Sequence, residues 1–158
     1  MASITTTVTA ITEMVRGRMT AVPLGAIVGQ TTLPAVRKLI EQLSAYSSHF
    51  HTNAWGGRHG HLVLVLDQAK MRVVTNTAAL NCSRLTKPEL VHPDITKDTK
   101  GRDLLEFQEK QKQKWSEYYF MLVVDAVAVE AIAAAVDEQY IDELREEYVG
   151  YKNATIKT

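Results

Sequence analysis

The feature that most constrains this chain is a long helical pattern running from Asp103 to Val136. Trp115, Tyr118, Leu122, Ala126, Val129, Ala133 and Val136 recur at helical spacing, which predicts that they share one face. The first half is amphipathic, with Glu106, Glu109, Lys110, Lys112 and Lys114 on the solvated side. The second half, Val123 to Val136, is rich in alanine and valine on nearly every side, so it is expected to lie buried among other helices. Such a helix needs partners, and the rest of the chain has to supply them.

The first partner is legible. Leu33, Val36, Leu39, Ile40, Leu43 and Tyr46 follow helical spacing, with Arg37, Lys38, Glu41 and Gln42 opposite. Thr32 is placed to cap this helix. Pro34 is tolerated there because first-turn amides have no intrahelical acceptor. Ser47 to Gly60 breaks the period. The apolar run after it is ambiguous: valines at 63, 65, 73 and 74 favour a strand, whereas Leu62, Val65, Leu66, Ala69 and Val73 fit three helical turns. A lone strand would leave its backbone groups unpaired, so helix is the preferred reading. The segment at about 76–101, with Pro88 and Pro93, reads as a long loop.

At the ends, residues 1–30 are threonine-rich, with Gly17, Pro23, Gly25 and Gly29 as breakers, and read as a flexible arm with a helical turn or two. Residues 31–158 then form a single helical domain. Asp137 is placed to cap a short last helix that turns Tyr140, Ile141, Leu144 and Tyr148 inward and ends at Gly150. Asn153 or Thr155 resembles the cap of a further helix, an expectation that the chain is a fragment. The class is all-α, and 158 residues suit one core.

Composition narrows the function. Acidic and basic side chains balance at 18 each, which argues against strong non-specific attraction to nucleic acid. The single cysteine, Cys82, excludes an internal disulfide and a multi-cysteine zinc site, and fits a reducing compartment. The sequons at Asn81 and Asn153 are read as chance matches. The N-terminus has no signal-peptide pattern, and no uninterrupted apolar window of about 18 residues is evident. These readings point to a soluble, cytoplasmic protein.

No catalytic constellation emerges. His49 and His51 flank the joint on one side, His59 and His61 on the other, and His92 lies in the later loop. Imidazole ligates zinc and copper, but i, i+2 pairs without an acidic or cysteine ligand in register favour local hydrogen bonding over a metal site. Gly56-Gly57-Arg58-His59-Gly60 lacks the Gly-Lys-Ser/Thr ending of a phosphate-binding loop and reads as a flexible joint. The carboxylates of Asp137, Glu138, Asp142, Glu143, Glu146 and Glu147 read as a solvated helix face rather than a catalytic dyad. Tyr118, Tyr119 and Phe120 read as core. No cofactor is expected, and no enzymatic activity.

The order of these segments resembles the gag-like capsid region of copia-type retrotransposon polyproteins, in the divergent form of algae and other protists. The resemblance spans about residues 22–158. It rests on Trp55-Gly56-Gly57-Arg58-His59-Gly60-His61-Leu62, on Val91-His92-Pro93, on the long helix, and on a tail carrying Tyr140, Leu144, Gly150, Tyr151, Asn153 and Thr155. It implies a retroelement capsid-like helical bundle, incomplete at its C-terminus. It also implies a structural role in which copies pack through helix faces, the helix at 33–46 among them, around the element's RNA. Arg16, Arg18, Lys97, Lys100 and Arg102 are then the basic residues expected to touch RNA. Competing readings are a helical adaptor that does not assemble, a histidine-dependent metalloprotein, and a decayed element copy.

Overall fold

The computed structural model describes residues 4–76, 83–89, 101–151 and 153–156. Four α-helices and no strand occur among the described residues, which are mostly helical, and the chain is therefore all-α. Helix α1 spans Ile4–Ala21, α2 Leu33–His49, α3 Gln68–Thr75 and α4 Gly101–Ala135.

The three long helices form a bundle. Beyond the end of α1, Ile27 N–H donates to the Ala135 carbonyl at 2.8 Å, and Asp137 N–H donates to the Ile27 carbonyl at 2.7 Å. Arg16 of α1 meets Glu130 of α4 at 3.3 Å. At the other side Tyr46 reaches Val124, and Phe50 packs edge-on against Phe120 with ring centroids 6.0 Å apart. The α2 helix therefore runs antiparallel to α4. Val15 and Met19 of α1, Leu43, Tyr46 and Phe50 at the end of α2, and Met121, Val124 and Ala128 of α4 form the buried centre. Excluding these side chains from water supplies the main stabilisation, about 1.5–3 kcal/mol for each large aliphatic or aromatic group.

Residues 4–21 are thus not an arm. Val15 and Met19 sit four apart, so they meet α4 from one face, and the threonines elsewhere in the helix do not prevent it once that face is covered. The domain consequently includes α1. Thr32 caps α2 as expected, its hydroxyl accepting from Ala35 N–H at 3.4 Å. Leu33 and Ile40, expected on the inward face of α2, are exposed.

The buried stripe of α4 lies one residue away from the expected one. Met121, Val124 and Ala128 are buried while Leu122 and Val129 are half-buried and Ala126 is exposed. One residue is about 100° around a helix, so the apolar half of α4 has one side left open. The apolar half of α4, though interrupted by Asp125 and Glu130, contains an 18-residue window of mean hydropathy 1.7, long and apolar enough by composition to cross a membrane. Its two acidic side chains in that region, Asp125 and Glu130, are engaged by Arg84 and Arg16 inside this fold.

Leu62 to Val74 is helical but interrupted. A single 3₁₀ turn covers Leu62–Leu64, then Asp67 caps α3 by accepting from Lys70 N–H at 2.8 Å. An aspartate prefers that position because its short carboxylate competes with helix propagation and satisfies a first-turn amide instead. After α4 the expected amphipathic helix is absent. Two 3₁₀ turns, Glu138–Tyr140 and Asp142–Leu144, are followed by a tight turn in which Glu146 and Gly150 exchange backbone hydrogen bonds at 2.9 Å. Tyr140, Leu144 and Tyr148 are exposed rather than turned inward.

Candidate functional site

The glycine-histidine joint folds back onto the end of α2. Gly60 has φ +55° and lies so close to that helix that a Cβ would stand 2.5 Å from the Ser48 carbonyl oxygen and 2.7 Å from that of Phe50. Only glycine fits both the dihedral and the space. His61 N–H then donates to the Ser47 carbonyl at 2.9 Å, and the imidazole enters the core. Its Nδ1 lies 2.9 Å from the Phe50 carbonyl, where it donates as N–H. Trp55 and Phe120 close on the ring edge-on, with centroids at 5.8 and 5.1 Å. Among the described residues the buried Nε2 atom has no hydrogen-bond partner. Burial holds the imidazole below its ordinary pKa, with the Phe50 carbonyl opposing and His51 adding to the shift.

Trp55 extends the joint to the next segment. Its backbone is left-handed, at φ 52°, and its indole N–H donates to the Ser83 carbonyl at 2.8 Å. From there residues 83–89 follow α4 towards its N-terminus: Arg84 pairs with Asp125, and Lys87 stands 6.0 Å over the Trp115 ring. The joint expected to be flexible is therefore a packed corner that fixes three segments.

The second polar centre is Asp125, 2% exposed in the apolar half of α4. One carboxylate oxygen takes the Arg84 guanidinium, and the other accepts from Ile156 N–H at 2.9 Å. Close by, the Tyr46 hydroxyl donates to the Val124 carbonyl at 2.8 Å; burial and, secondarily, the Asp125 charge raise its pKa. Asp125 thus anchors two irregular segments to the bundle. Sequence reasoning missed it, although a lone acid within Val123 to Val129 is the available signal, because a carboxylate persists in such a run only when paired.

A cleft of about 770 Å³ opens along the uncovered side of α4. Leu122, Ala126, Val129 and Ala133 form its apolar wall, which is the face singled out in the sequence, and Arg16, Arg84 and Tyr151 stand at its edges. The cations at its rim are matched by Glu130 and Asp125, so the cleft holds no uncompensated charge from those pairs. It has the size of a ligand pocket.

The other expected residues fall as follows. His49 and His51 are exposed, His59 is half-buried and His61 is enclosed, so the four do not converge. Among the described residues no group of three or more histidine, cysteine or acidic side chains is arranged to hold a metal. His92, Pro93, Lys97 and Lys100, with Cys82 and most of the expected loop, lie outside the described residues. Arg16 pairs with Glu13 and Glu130, and Arg102 lies 28 residues before Glu130 on the same helix, about 42 Å away at 1.5 Å per residue. Arg16, Arg18 and Arg102 thus do not form one basic patch. In the tail, the Tyr140 hydroxyl bonds to the Gly29 carbonyl and accepts from Thr31 N–H at 3.1 Å, while Gly150, at φ +61°, has open space where a Cβ would stand. No protein-family model, curated protein or solved structure matches the chain.

Proposed function

We propose that this chain is a non-catalytic structural protein that associates with copies of itself, the role implied by its resemblance to capsid-type gag regions. The observation that carries this reading is the apolar surface left outside a well-packed core. Val73 is 82% exposed and Val74 50%, and Leu33, Ile40 and Leu105 also face solvent. Leu66, Ala69, Val73 and Val74 share one shallow groove, and an exposed aliphatic patch of this kind is unfavourable in water unless another surface covers it. The buried polar groups support the same reading: His61, Asp125 and Tyr46 hold segments together through bonds to the Phe50 carbonyl, to Arg84 and Ile156 N–H, and to the Val124 carbonyl.

The protein works in the cytoplasm as a soluble assembly in this reading, with α4 as the centre of the bundle rather than a membrane span. The ion pairs at Asp125 and Glu130 favour that choice, since bare carboxylates at bilayer depth are costly. Element RNA is a secondary partner, contacted through exposed cations such as Arg18 and Arg102. Sedimentation velocity across a concentration series, with and without single-stranded RNA, tests the proposal. Growth of larger species with concentration is expected, and RNA promotes it. A monodisperse monomer at high concentration in both conditions overturns the reading and turns attention to the cleft beside α4 as an adaptor surface.

A further inference from the structure

Charge is segregated along this molecule although its total is zero. Residues 137–147 carry six of the 18 acidic side chains against one arginine, Arg145, so the remainder of the chain is basic as a whole. The acidic segment is the exposed tip after α4, and it presents apolar groups among its carboxylates: Leu144, Tyr148 and Val149. A second apolar patch has the opposite rim. On α3 and just before it, Leu66, Ala69, Val73 and Val74 line a shallow groove together with Lys70, and Arg72 lies on the same short helix. Asp67, just before the helix, accepts from Lys70 N–H as its cap.

The fold holds these patches apart. The tip is tied to the start of α2 through Tyr140 at Gly29 and Thr31. The α3 patch is tied to the end of α2, because Leu62, Val63 and Met71 form one cluster behind the joint that bonds to Ser47. Seventeen residues of α2 lie between, a span of about 25 Å. Within one copy the two patches do not meet, since Val73 is 82% and Tyr148 96% exposed.

We propose that copies of this chain join head to tail, with the acidic tip of one seated on the basic, valine-bearing face of α3 in the next. The inference rests on the self-association reading and specifies its surfaces. Leu144, Tyr148 and Val149 cover Val73 and Val74, while Asp142, Glu143 and Glu147 approach Lys70 and Arg72. Opposite charges fix the register and disfavour tip-to-tip or α3-to-α3 contacts, where like charges would meet. Because the two surfaces differ, the contact is heterologous and propagates into rings or open chains rather than stopping at a dimer.

A charge-swap experiment on the full chain tests this, read by sedimentation velocity. The K70E/R72E variant carries acidic groups on both surfaces, and the E143K/E147K variant carries basic groups on both. Each alone is expected to associate more than about tenfold more weakly than the natural chain, because like charges then face each other. Mixed in equal amounts, they are expected to recover association, since each surface again meets its opposite. Recovery also shows that both variants are folded. Association of the natural chain should weaken as salt rises from about 0.1 M to 1 M, where the screening length falls from about 10 Å to 3 Å. Single variants that associate like the natural chain, or a mixture that stays monomeric, overturn the head-to-tail contact while leaving self-association standing. A natural chain that remains monomeric overturns both.

Discussion

The joint at residues 54–64 and the tip at 137–151 are both short, glycine-bearing and built around 3₁₀ turns, yet they stand in opposite relation to the core. The joint places Gly60, His61, Leu62, Val63 and Leu64 inside the molecule, and the amides of His61, Leu62 and Leu64 donate to the carbonyls of Ser47, His59 and His61. The tip leaves Tyr148 96% exposed, and its hydrogen bonds are largely local ones, such as that between Glu146 and Gly150. The contrast separates two uses of glycine. Gly60 allows a close approach between backbones, whereas Gly150 merely accommodates a left-handed turn at the surface. It also separates two costs of change, since only the joint transmits a local fault to the bundle.

Replacing Gly60 with alanine is the sharpest way to break that contrast. The new Cβ would meet two backbone carbonyls at 2.5 and 2.7 Å, and φ +55° is unfavourable for any L side chain. Strain and displaced packing together should lower unfolding free energy by about 3 kcal/mol or more. Gly150→Ala shares the positive φ but meets nothing within 4 Å, so about 1 kcal/mol is expected. Urea titration monitored by circular dichroism gives both numbers. Equal losses would mean that the joint is no more constrained than the tip.

How far these regions were legible follows from the same physics. The long helix and α2 were readable because their periodicity is sustained over many turns and Thr32 and Pro34 mark a start. The tip was misread because Tyr140, Ile141, Leu144 and Tyr148 also fit helical spacing. Spacing alone cannot show that no surface remains to cover them. In α1 the error ran the other way: threonines suggested an arm, and only α4, more than a hundred residues on, covers Val15 and Met19. The joint showed its glycines but not which one is indispensable, since that depends on carbonyls brought close by the fold. The anchoring role of Asp125 needs two distant segments, at Arg84 and Ile156, that no local pattern connects.

His61 sharpens the comparison through pH. Its folded pKa is depressed by burial, so the native joint holds fewer protons than the unfolded chain in the range between the two pKa values. Stability is therefore complete above the unfolded value of about 6.5 and declines as pH falls below it, by at most about 1.4 kcal/mol per unit from this group. The tip has no comparable buried histidine. Denaturant midpoints at pH 7.5 and 5.5 should fall further for the natural chain than for His61→Asn, whose amide can still donate to the Phe50 carbonyl but takes up no proton. Parallel declines in the two proteins would remove His61 as the source.

Tyr140→Phe should give the smallest effect and test the tip from its own side. The hydroxyl bridges the Gly29 carbonyl and Thr31 N–H at a half-exposed position, where water can replace much of what is lost. A loss of about 0.5–1 kcal/mol in global stability is expected, in line with an ordinary hydrogen bond. The amide of Thr31 should exchange faster, because its acceptor is gone. The amide of His61, held at the far end of α2 by Ser47, should keep its natural rate once the small global change is subtracted. Hydrogen exchange followed residue by residue distinguishes these sites. Acceleration at both would show that the tip and the joint open as one unit, and the division between an embedded corner and a surface appendage would then fail.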